Sequence, residues 1–465
     1  MSARLQQRLR SLWISVHRIA PLAWPVLVGQ VAVLAFATVD TLLVSRASPG
    51  DLAALAVGGA AYITVFIGLN GVVLALSPIV GQLYGARRLE DAGRQVHQAL
   101  WVALTLAVLG STVLVFPAPF LALARLQPDV ESKVRDYLLT LAFSLPASML
   151  FTVYRGFNTA VSRPKAVMVI QVSALLVKVP LSSALVFGLP ALGLPALGVQ
   201  GCAVATACAM WAQVLAGTVM LRRDPFYKPF ALWGRGLDRP QRAALMQQLK
   251  LGLPLGASIL VEVTGFAFMA FFIARISTTA VAGHQIAANL VSLMFMLPLA
   301  VGNATSTLVA QHIGAGQARD AARVGVHGLV GGCLAAALVG SVVLALRPAV
   351  LHLYTGNELV FAAAMPLIAW LVLFHVADAA QIITAFVLRA YKVTTVPMLI
   401  YVGALWGVGL GGGYVLAFNL SGLTPQPLLG ATGFWMASTT GLTLAALLLT
   451  AYLAWVLRQK LQPAG

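Results

Sequence analysis

Long runs without a charged side chain are the feature that most limits how this chain can fold. No Asp, Glu, Lys or Arg lies in residues 52–86, 95–124 or 393–457. One α-helix needs about 20 apolar residues to cross the hydrocarbon core of a bilayer, so such runs predict transmembrane helices. We predict twelve of them, at residues 19–45, 52–76, 95–117, 134–155, 165–188, 197–221, 250–274, 281–304, 323–346, 360–387, 395–418 and 431–457.

The composition indicates that lipid is the main solvent of this chain. Hydrophobic residues make up 60% of its 465 residues and charged residues only 9%. A soluble domain has about 25% charged residues, because its surface faces water. The segments of about ten alternating residues that build an outer-membrane barrel are absent from the sequence. We therefore expect an all-α integral membrane protein.

The net charge of +17 reflects membrane topology rather than a nucleic-acid partner. With the N-terminus in the cytoplasm, 23 of the 30 lysines and arginines lie on the cytoplasmic side of the predicted spans. Six lie on the opposite side and one lies within a span. This is the positive-inside pattern. It predicts a multi-pass inner-membrane protein with both termini in the cytoplasm and no nucleic-acid partner.

Two stretches of the chain resemble each other at an offset of 229 residues. Residues 81–86 read Gly-Gln-Leu-Tyr-Gly-Ala, and residues 310–315 read Ala-Gln-His-Ile-Gly-Ala. Each stretch is followed by a matching Asp-Ala pair and a matching Arg. Near the end of each half, Gly198-x-x-Gly201 matches Gly430-x-x-Gly433. These correspondences indicate an internal repeat.

The repeat divides the twelve spans into two halves of six. Because six is an even number, both halves have the same orientation, which predicts two pseudo-symmetric six-helix lobes related as a parallel repeat. Such lobes typically enclose a central site and give alternating access to it. We place the N-terminal lobe at residues 1–221, a basic cytoplasmic linker at 222–249 and the C-terminal lobe at 250–465.

Four ionisable side chains lie well inside the predicted spans. They are Asp40, Lys178, Glu262 and Asp378. A charge at the bilayer centre costs at least about 2.5–3.5 kcal/mol, so each is a candidate functional residue. A carboxyl group at this depth either holds a proton or stays charged beside a cation. Competition between a coupling ion and a cationic substrate for such a carboxylate is the simplest chemistry for an antiporter.

The two acids of the second half have polar neighbours on the same helix face. Glu262 has Ser258 one turn before it, and Asp378 has Phe374 at i−4 and Gln381 at i+3. Residues at these spacings lie side by side on a helix. Two carboxylates with hydroxyl or amide oxygens suit a hard cation such as Na⁺, or a shared proton. The alternative is that each acid is a protonated carboxyl that only stabilises helix packing.

Asp40 and Lys178 are the charged residues within the spans of the first half. An unpaired buried charge is more costly than a buried pair, so we predict an ion pair between them. The alternatives are a neutral Lys178, or a Lys178 that faces a water-filled cavity.

The sequence shows no convincing enzyme site. Its seven histidines lack metal-ligand spacing, and its three cysteines lack paired spacing. The paired acidic motifs that an integral-membrane enzyme needs at the membrane face are absent. We expect a protein without a cofactor and without enzymatic activity.

Short motifs in both halves form a combination typical of one transporter family. Residues 39–41 read Val-Asp-Thr, residues 51–55 read Asp-Leu-Ala-Ala-Leu, and residues 78–86 read Pro-Ile-Val-Gly-Gln-Leu-Tyr-Gly-Ala. Further motifs lie at residues 195–202, 262–264, 282–285 and 388–392. Together they resemble the multidrug and toxic compound extrusion (MATE) family, in particular its bacterial NorM-like branch. The similarity extends over nearly the whole chain.

The resemblance implies roles for individual residues. NorM-like proteins are twelve-helix, two-lobed antiporters that expel cationic and amphipathic drugs in exchange for Na⁺ or H⁺. It implies that Glu262 and Asp378 form the cation site of the second lobe, as metal ligands if Na⁺ is the coupling ion, and that Asp40 is needed for transport. The substrate cavity is then expected to include Gln285, Phe374, Gln381 and Ser258.

Two positions depart from the family pattern. Relatives usually have Asn-x-Pro-x-Asn in the fifth span, where residues 178–182 read Lys-Val-Pro-Leu-Ser. Our hypothesis is that the Lys178 ammonium serves as a built-in cation for Asp40, so that ion coupling takes place in the second lobe. Phe374 stands where some relatives have a Tyr, and its ring offers a cation–π contact but no hydroxyl.

We therefore expect a secondary active multidrug antiporter of the bacterial inner membrane that works as a monomer by alternating access. Its expected partners are cationic and amphipathic drugs and dyes, and the lipid bilayer. The alternative is a lipid-intermediate flippase or a polysaccharide exporter of the same wider superfamily. A large anionic headgroup would call for a basic cavity, whereas the candidates here are three acids and one lysine.

Overall fold

The structure is a computed structural model that describes residues 3–124, 127–189, 193, 195–234 and 236–462. Within these ranges, twelve helices are long and apolar enough to cross a membrane. The predicted all-α membrane architecture with twelve spans is thus confirmed. The α-helices are α1 Ala3–Val44, α2 Pro49–Val73, α3 Leu76–Gly85, α4 Leu89–Val115, α5 Ala118–Ala124, α6 Pro128–Ala160, α7 Pro164–Phe187, α8 Val199–Arg223, α9 Arg242–Ala274, α10 Thr278–Gly314, α11 Ala318–Ala345, α12 Arg347–Tyr354, α13 Glu358–Ile368, α14 Leu371–Ala390, α15 Thr395–Tyr401, α16 Gly412–Ala417 and α17 Ala431–Leu461.

Several helices extend well beyond the predicted spans. α1 begins at Ala3 rather than 19, α9 begins at Arg242 rather than 250, and α10 ends at Gly314 rather than 304. The 37 residues of α10 are about 55 Å long at about 1.5 Å per residue. Hydropathy marks only the part of a helix that lies in hydrocarbon, which is about 30 Å thick. The sequence therefore located the membrane-spanning segments but underestimated the lengths of the helices that contain them.

Two of the predicted spans are not single regular helices. The segment predicted at 360–387 consists of α13 and α14, which are separated at Ala369 and Trp370. The segment predicted at 395–418 begins as α15, continues as the π-helix Val402–Gly411 and ends as α16. The π-helix packs closely on α17, where a Cβ on Gly441 would lie 2.5 Å from the Ala404 carbonyl oxygen. Small residues at such crossings allow helix backbones to approach each other.

Tertiary contacts divide the chain into two compact units. The first unit is Val28–Gly256, and the second combines the described residues up to Leu27 with those from Ala257 onward. The start of α1 belongs to the second unit because Ile19 and Ala23 share its hydrophobic core. The boundaries between the units thus fall inside α1 and α9. The lobe limits of 1–221 and 250–465 and the linker at 222–249 stay a prediction.

The repeated motifs adopt matching backbone conformations in the two units. Ala86 and Ala315 are the C-cap residues of α3 and α10, and both have a φ of −76° and a ψ of 0°. The residues that follow, Arg87 and Gly316, have positive φ values of 59° and 74°. The repeat seen in the sequence is therefore a repeat of local structure as well.

A further correspondence lies at the starts of α2 and α10. Ser48 and Ser277, again 229 residues apart, are the N-cap residues of these helices. Each hydroxyl accepts a hydrogen bond of 3.0 Å, from the amide of Asp51 or of Ala280. A serine in this position satisfies one of the free amides of the first helical turn.

The linker between the halves is folded onto the first unit rather than extended. It begins with the 3₁₀ helix Pro225–Phe230, whose Tyr227 hydroxyl donates to Asn158 Oδ1 at 2.6 Å. Asp224, just before this helix, forms an ion pair with Arg163.

The following part of the linker is held by side chains of α4. His97 Nε2 lies 3.2 Å from the Leu232 carbonyl oxygen, and His97 Nδ1 lies 3.0 Å from Asp238 Oδ2. Trp101 Nε1 donates to the Asp238 carbonyl oxygen at 2.9 Å. Gln98 adds a 3.0 Å hydrogen bond to the carbonyl oxygen of Arg239. These contacts hold the linker against α4, and residues of both line a cavity.

Candidate functional site

A polar cluster lies in the second unit on α9, α14 and α15, and its members on α14 and α15 are buried. Asp378 is buried on α14, and Gln381 Nε2, one turn further along, donates to its Oδ1 at 3.0 Å. The hydroxyl of Tyr401 on α15 donates to Gln381 Oε1. Gln381 thus uses its amide to hold the carboxyl and its carbonyl to accept from the tyrosine. All three side chains are buried, so their polar groups depend on one another rather than on bulk water.

Glu262 on α9 completes the cluster. Its carboxyl interacts electrostatically with Asp378 and lies within hydrogen-bonding reach of Gln381. The π-helix supports this part of α9, because Trp406 Nε1 donates to the Val261 carbonyl oxygen at 3.0 Å. The structure therefore brings together Glu262, Asp378 and Gln381, which the sequence singled out.

Two carboxyl groups in a low-dielectric site cannot both be charged without strong mutual repulsion. One positive charge between them removes that repulsion, and a proton or a small hard cation supplies it. Within the described ranges, no group of three or more His, Cys, Asp or Glu side chains has the arrangement of a metal site. Asp378 and Glu262 are the two carboxylates that this cluster offers to a cation.

Aromatic side chains pack around Phe374, which lies one helical turn before Asp378 on α14. Phe374 is only 1% exposed, and its ring centroid lies 6.0 Å from that of Phe266 and 5.4 Å from that of Trp435. Trp435 Nε1 in turn donates to His284 Nδ1 at 3.2 Å. Phe374 is therefore embedded in an aromatic cluster next to the acids, and its place in a substrate cavity stays a prediction.

The two remaining cavity candidates have different surroundings. Ser258 is buried on α9, one turn before Glu262, as the helical spacing predicted. Gln285 is exposed on α10. Their roles in substrate binding stay predictions.

In the first unit, the structure places Lys178 against Asp40. Lys178 Nζ lies 2.6 Å from Asp40 Oδ2, and the two side chains are 1% and 9% exposed. The ammonium also donates to the Phe36 carbonyl oxygen at 3.3 Å and lies 4.9 Å from the centre of the Phe36 ring. Asp40 Oδ1 and the Ser182 hydroxyl are buried without a hydrogen-bond partner among the described residues. The ammonium thus occupies one side of the Asp40 carboxylate.

Sequence reasoning missed two residues that the structure adds to the second-unit cluster. Tyr401 lies 20 residues beyond Gln381 in the sequence, and Trp406 contacts α9 from the π-helix. An aromatic residue in an apolar span is normally a packing residue, so composition gave no reason to select either one. The one available signal was the glycine-rich segment around residues 403–412, because glycines accompany irregular helix geometry.

Comparison with known proteins places this site in a family context. The sequence model of the family described as MatE matches residues 25–183 and 254–415. The chain is 40% identical to the probable multidrug resistance protein NorM of Aromatoleum aromaticum, over 94% of this chain and 92% of the relative. It is 35% identical to the multidrug resistance protein PmpM of Pseudomonas aeruginosa, over 93% and 90% of the two chains. It is 34% identical to the multidrug resistance protein NorM of Vibrio cholerae, over 94% and 95%.

Solved structures agree on the fold. A eukaryotic MATE transporter, AtDTX14, superposes with a TM-score of 0.85 at 18% sequence identity, over 97% of this chain and 99% of that one. An outward-facing multidrug resistance MATE family transporter superposes with a TM-score of 0.82, over 95% and 96% of the two chains.

Proposed function

This chain belongs to the MatE family, and we propose that it is a multidrug efflux antiporter that exports cationic and amphipathic organic compounds in exchange for Na⁺ or H⁺. The transport step moves substrate and ion in opposite directions by alternating access and involves no catalytic chemistry or cofactor. The protein is a multi-pass membrane protein. Its proposed location is the bacterial inner membrane, with both termini in the cytoplasm, and its proposed state is a monomer.

The observation that carries this proposal is the pair of carboxyl groups, Glu262 and Asp378, inside the spans of the second unit. Glu262 lies near Asp378 and Gln381 within the helix bundle, and Gln381 donates a hydrogen bond to Asp378. Keeping ionisable groups at this depth is costly, so a protein that needs them only for packing would replace them with apolar residues. A site that binds one cation at a time provides the exchange that an antiporter requires. Gln285, Ser258 and Phe374 are the proposed contacts for substrate near this pair.

The position of Lys178 supports different roles for the two units in ion binding. Its ammonium lies 2.6 Å from Asp40, so this carboxylate already has a permanent counter-ion. We propose that Lys178 takes the place of a coupling ion in the first unit, and that ion exchange occurs at Glu262 and Asp378. The Lys178→Asn variant tests this role. Unchanged transport, expression and ion stoichiometry in that variant would show that the ammonium has no such role.

The proposed function is tested with the purified protein in lipid vesicles loaded with a fluorescent cationic drug. Na⁺ and H⁺ gradients are imposed separately, and drug release is followed by fluorescence. We expect one of the two gradients to drive release, which identifies the coupling ion. The double variant Glu262→Gln, Asp378→Asn should abolish gradient-driven release, because its neutral amides no longer bind a cation.

A matched control separates loss of the site from loss of any carboxylate. Asp320 on α11 has a side chain that is 40% exposed and forms a 2.5 Å pair with Arg323, so Asp320→Asn should leave release unchanged. Absence of release with both ions, from wild-type protein shown to be folded, would overturn the antiporter proposal. The flippase alternative would then be tested with lipid-linked substrates.

A further inference from the structure

A cavity of about 370 Å³ lies within the first unit, beneath the linker. α4, α6 and α8 form three of its walls, and linker residues 232–234 and 236–237 form the fourth. Its lining is mainly apolar and includes Leu100, Phe151, Phe157, Val214, Leu221 and Trp233.

The polar groups in the lining are few, and two of them are already engaged. His97 lies within hydrogen-bonding distance of both the Leu232 carbonyl oxygen and the Asp238 carboxylate. The Tyr154 hydroxyl donates to the Met220 sulfur at 3.1 Å. No carboxylate is among the described lining residues. The interior therefore suits a hydrocarbon chain and offers no counter-charge to a cationic drug.

The lining of the cavity lies near the linker-side ends of two helices. It extends over residues 150–157 of α6, which ends at Ala160, and over residues 214–221 of α8, which ends at Arg223. Seven helical residues rise about 10 Å, which is about a third of the roughly 30 Å hydrocarbon thickness. Both helix ends adjoin the basic linker, so the cavity lies on the side of the bilayer that the topology predicts to be cytoplasmic.

The linker side of the cavity is aromatic and positively charged. Trp233 is 45% exposed, and the Arg222 guanidinium lies 4.5 Å from the centre of its ring. Arg223, Lys228 and Arg239 are also exposed on this part of the chain. Tryptophan favours the headgroup region of a membrane. Basic clusters at the cytoplasmic surface attract anionic lipid headgroups.

We propose that this cavity binds an acyl chain of an anionic phospholipid from the cytoplasmic leaflet, with the headgroup phosphate beside Arg222. The apolar walls accommodate the chain, and the guanidinium and neighbouring basic residues complement the charge of the headgroup. Because the linker forms one wall, the bound lipid contacts both the linker and the helices that the linker covers. The lipid thereby stabilises the docked linker.

Photocrosslinking tests this proposal without requiring transport activity. The full chain is reconstituted in phosphatidylcholine vesicles that contain a small fraction of phosphatidylglycerol with a diazirine in its acyl chain. Crosslinked peptides are identified by mass spectrometry after illumination. We expect labelling of the lining segments on α6 and α8, and stronger labelling by this probe than by a phosphatidylcholine probe with the same chain.

Adjacent residues of α8 provide a matched pair of variants. Val214→Trp places an indole inside the cavity and should lower labelling at least about tenfold, since a filled site leaves no room for the chain. Leu215→Trp adds the same bulk to a side chain that is 66% exposed and should leave labelling unchanged. Thr218→Phe fills the same wall if Val214→Trp does not fold.

A charge variant tests the headgroup contact. A basic residue near an anionic membrane surface contributes about 1 kcal/mol, so Arg222→Gln should reduce the preference for phosphatidylglycerol about fivefold. Equal labelling by the two lipid probes, or wild-type labelling in a folded cavity-filling variant, would overturn the proposal. Displacement of the lipid probe by a photoreactive amphipathic cation would overturn it as well.

Discussion

A single lysine inside the first unit illustrates how strongly a buried charge depends on its partner. Lys178 is 1% exposed and its ammonium lies 2.6 Å from Asp40. Breaking a buried ion pair by removing one partner costs about 3–5 kcal/mol, because the other charge is left uncompensated. We therefore expect Lys178→Met and Asp40→Leu each to lower the thermal unfolding temperature in detergent strongly. The Lys178→Met, Asp40→Leu double variant should be more stable than either single variant.

The exposed pair of Asp320 and Arg323 on α11 provides the control for this cycle. Exposed pairs contribute about 0–1 kcal/mol, so Asp320→Asn should hardly change the unfolding temperature. If the Lys178 and Asp40 variants behave additively, the two side chains do not stabilise each other and the pairing has no energetic role.

Tyr401 on α15 helps to position the Asp378 carboxyl through Gln381. Its hydroxyl donates to Gln381, which holds Asp378. Tyr401→Phe leaves the Gln381 carbonyl oxygen buried without this donor, at a cost of about 1–3 kcal/mol. We expect the apparent affinity for the coupling ion to fall roughly 5- to 150-fold. The measurement is the ion concentration that gives half-maximal drug release from vesicles.

Tyr452→Phe on α17, where the tyrosine ring stacks on Trp455, is the matched control and should leave the ion dependence unchanged. An unaltered half-maximal concentration in Tyr401→Phe would remove Tyr401 from the ion site and leave it a packing residue.

The sequence identified the two acids but not the side chains that position them. Asp378 and Gln381 are neighbours on one helix, so helical periodicity alone predicted their contact. Glu262 was selected because its charge is costly in a span. Tyr401 and Trp406 carry no charge and reach the cluster from a different segment. Trp406 contacts α9 from the π-helix and Tyr401 contacts α14 from α15, and no local sequence pattern encodes these contacts.

At the scale of helices, two glycines begin corresponding elements of the two units. Gly198 precedes α8 with φ of 55°, and Gly430 precedes α17 with φ of 69°. A side chain in this conformation costs about 1–3 kcal/mol. A Cβ on Gly198 would also lie 2.7 Å from Asp51 Oδ2, whereas the nearest atoms to one on Gly430 are 4.0 Å away. We expect Gly198→Ala to lower the unfolding temperature more than Gly430→Ala does.

Gly59 provides the control for these substitutions. It lies inside α2, and a Cβ there would meet no atom within 4 Å, so Gly59→Ala should be neutral or slightly stabilising. An equal loss of stability for Gly198→Ala and Gly430→Ala would mean that Asp51 moves aside and that backbone conformation alone sets the cost.

The docked linker has a defined dependence on pH. The hydrogen bond from the Phe226 amide, and then the Arg163 guanidinium, lower the pKa of Asp224 below its usual 3.8. A carboxyl whose pKa is lower in the folded state stabilises that state above the unfolded pKa and loses this effect as pH falls through the folded value. Docking at Asp224 should therefore be constant from about pH 8 to pH 5 and weaken only below about pH 3.8. Hydrogen exchange of residues 224–230, corrected for intrinsic rates, measures this.

Two substitutions in the same segment test whether the Asp224 side chain holds the linker in place. Asp224→Asn should raise the exchange of residues 224–230 at neutral pH, because the ion pair with Arg163 is lost. Lys228→Gln, at an exposed position of the same 3₁₀ helix, should not. A rise in wild-type exchange between pH 7 and pH 5 would show that the Asp224 carboxylate does not control the docking of this segment.

The interruptions within spans show where prediction of elements from sequence ends. Apolar runs with few charged residues located all twelve spans, because each must cross the same thickness of hydrocarbon. They did not reveal the break between α13 and α14, or the π-helix within the eleventh span. Hydropathy is insensitive to whether a backbone carbonyl bonds four or five residues ahead. Neighbouring helices and side chains satisfy the freed backbone groups at such interruptions, so their positions depend on tertiary packing.

At the scale of the whole molecule, the repeat and the distribution of charge lead to the same topology. Twelve spans predict that the two chain ends lie on one side of the membrane, and the distribution of basic residues predicts that this side is the cytoplasm. The loop between α16 and α17 then lies on the opposite side from the linker. Ser421 is exposed in that loop and Arg239 is exposed in the linker. Single cysteines at these two positions, in a chain without its three native cysteines, report the topology.

We expect a membrane-impermeant maleimide to label Ser421→Cys in intact spheroplasts, because this loop faces the outside. Arg239→Cys should be labelled only after the membrane is made permeable. Both variants must retain drug release, so that labelling reports the functional topology. Labelling of Arg239→Cys before permeabilisation, with Ser421→Cys protected, would invert the topology. The basic linker would then face away from the anionic cytoplasmic leaflet, and the lipid proposed for the cavity beneath it would have to come from the other leaflet.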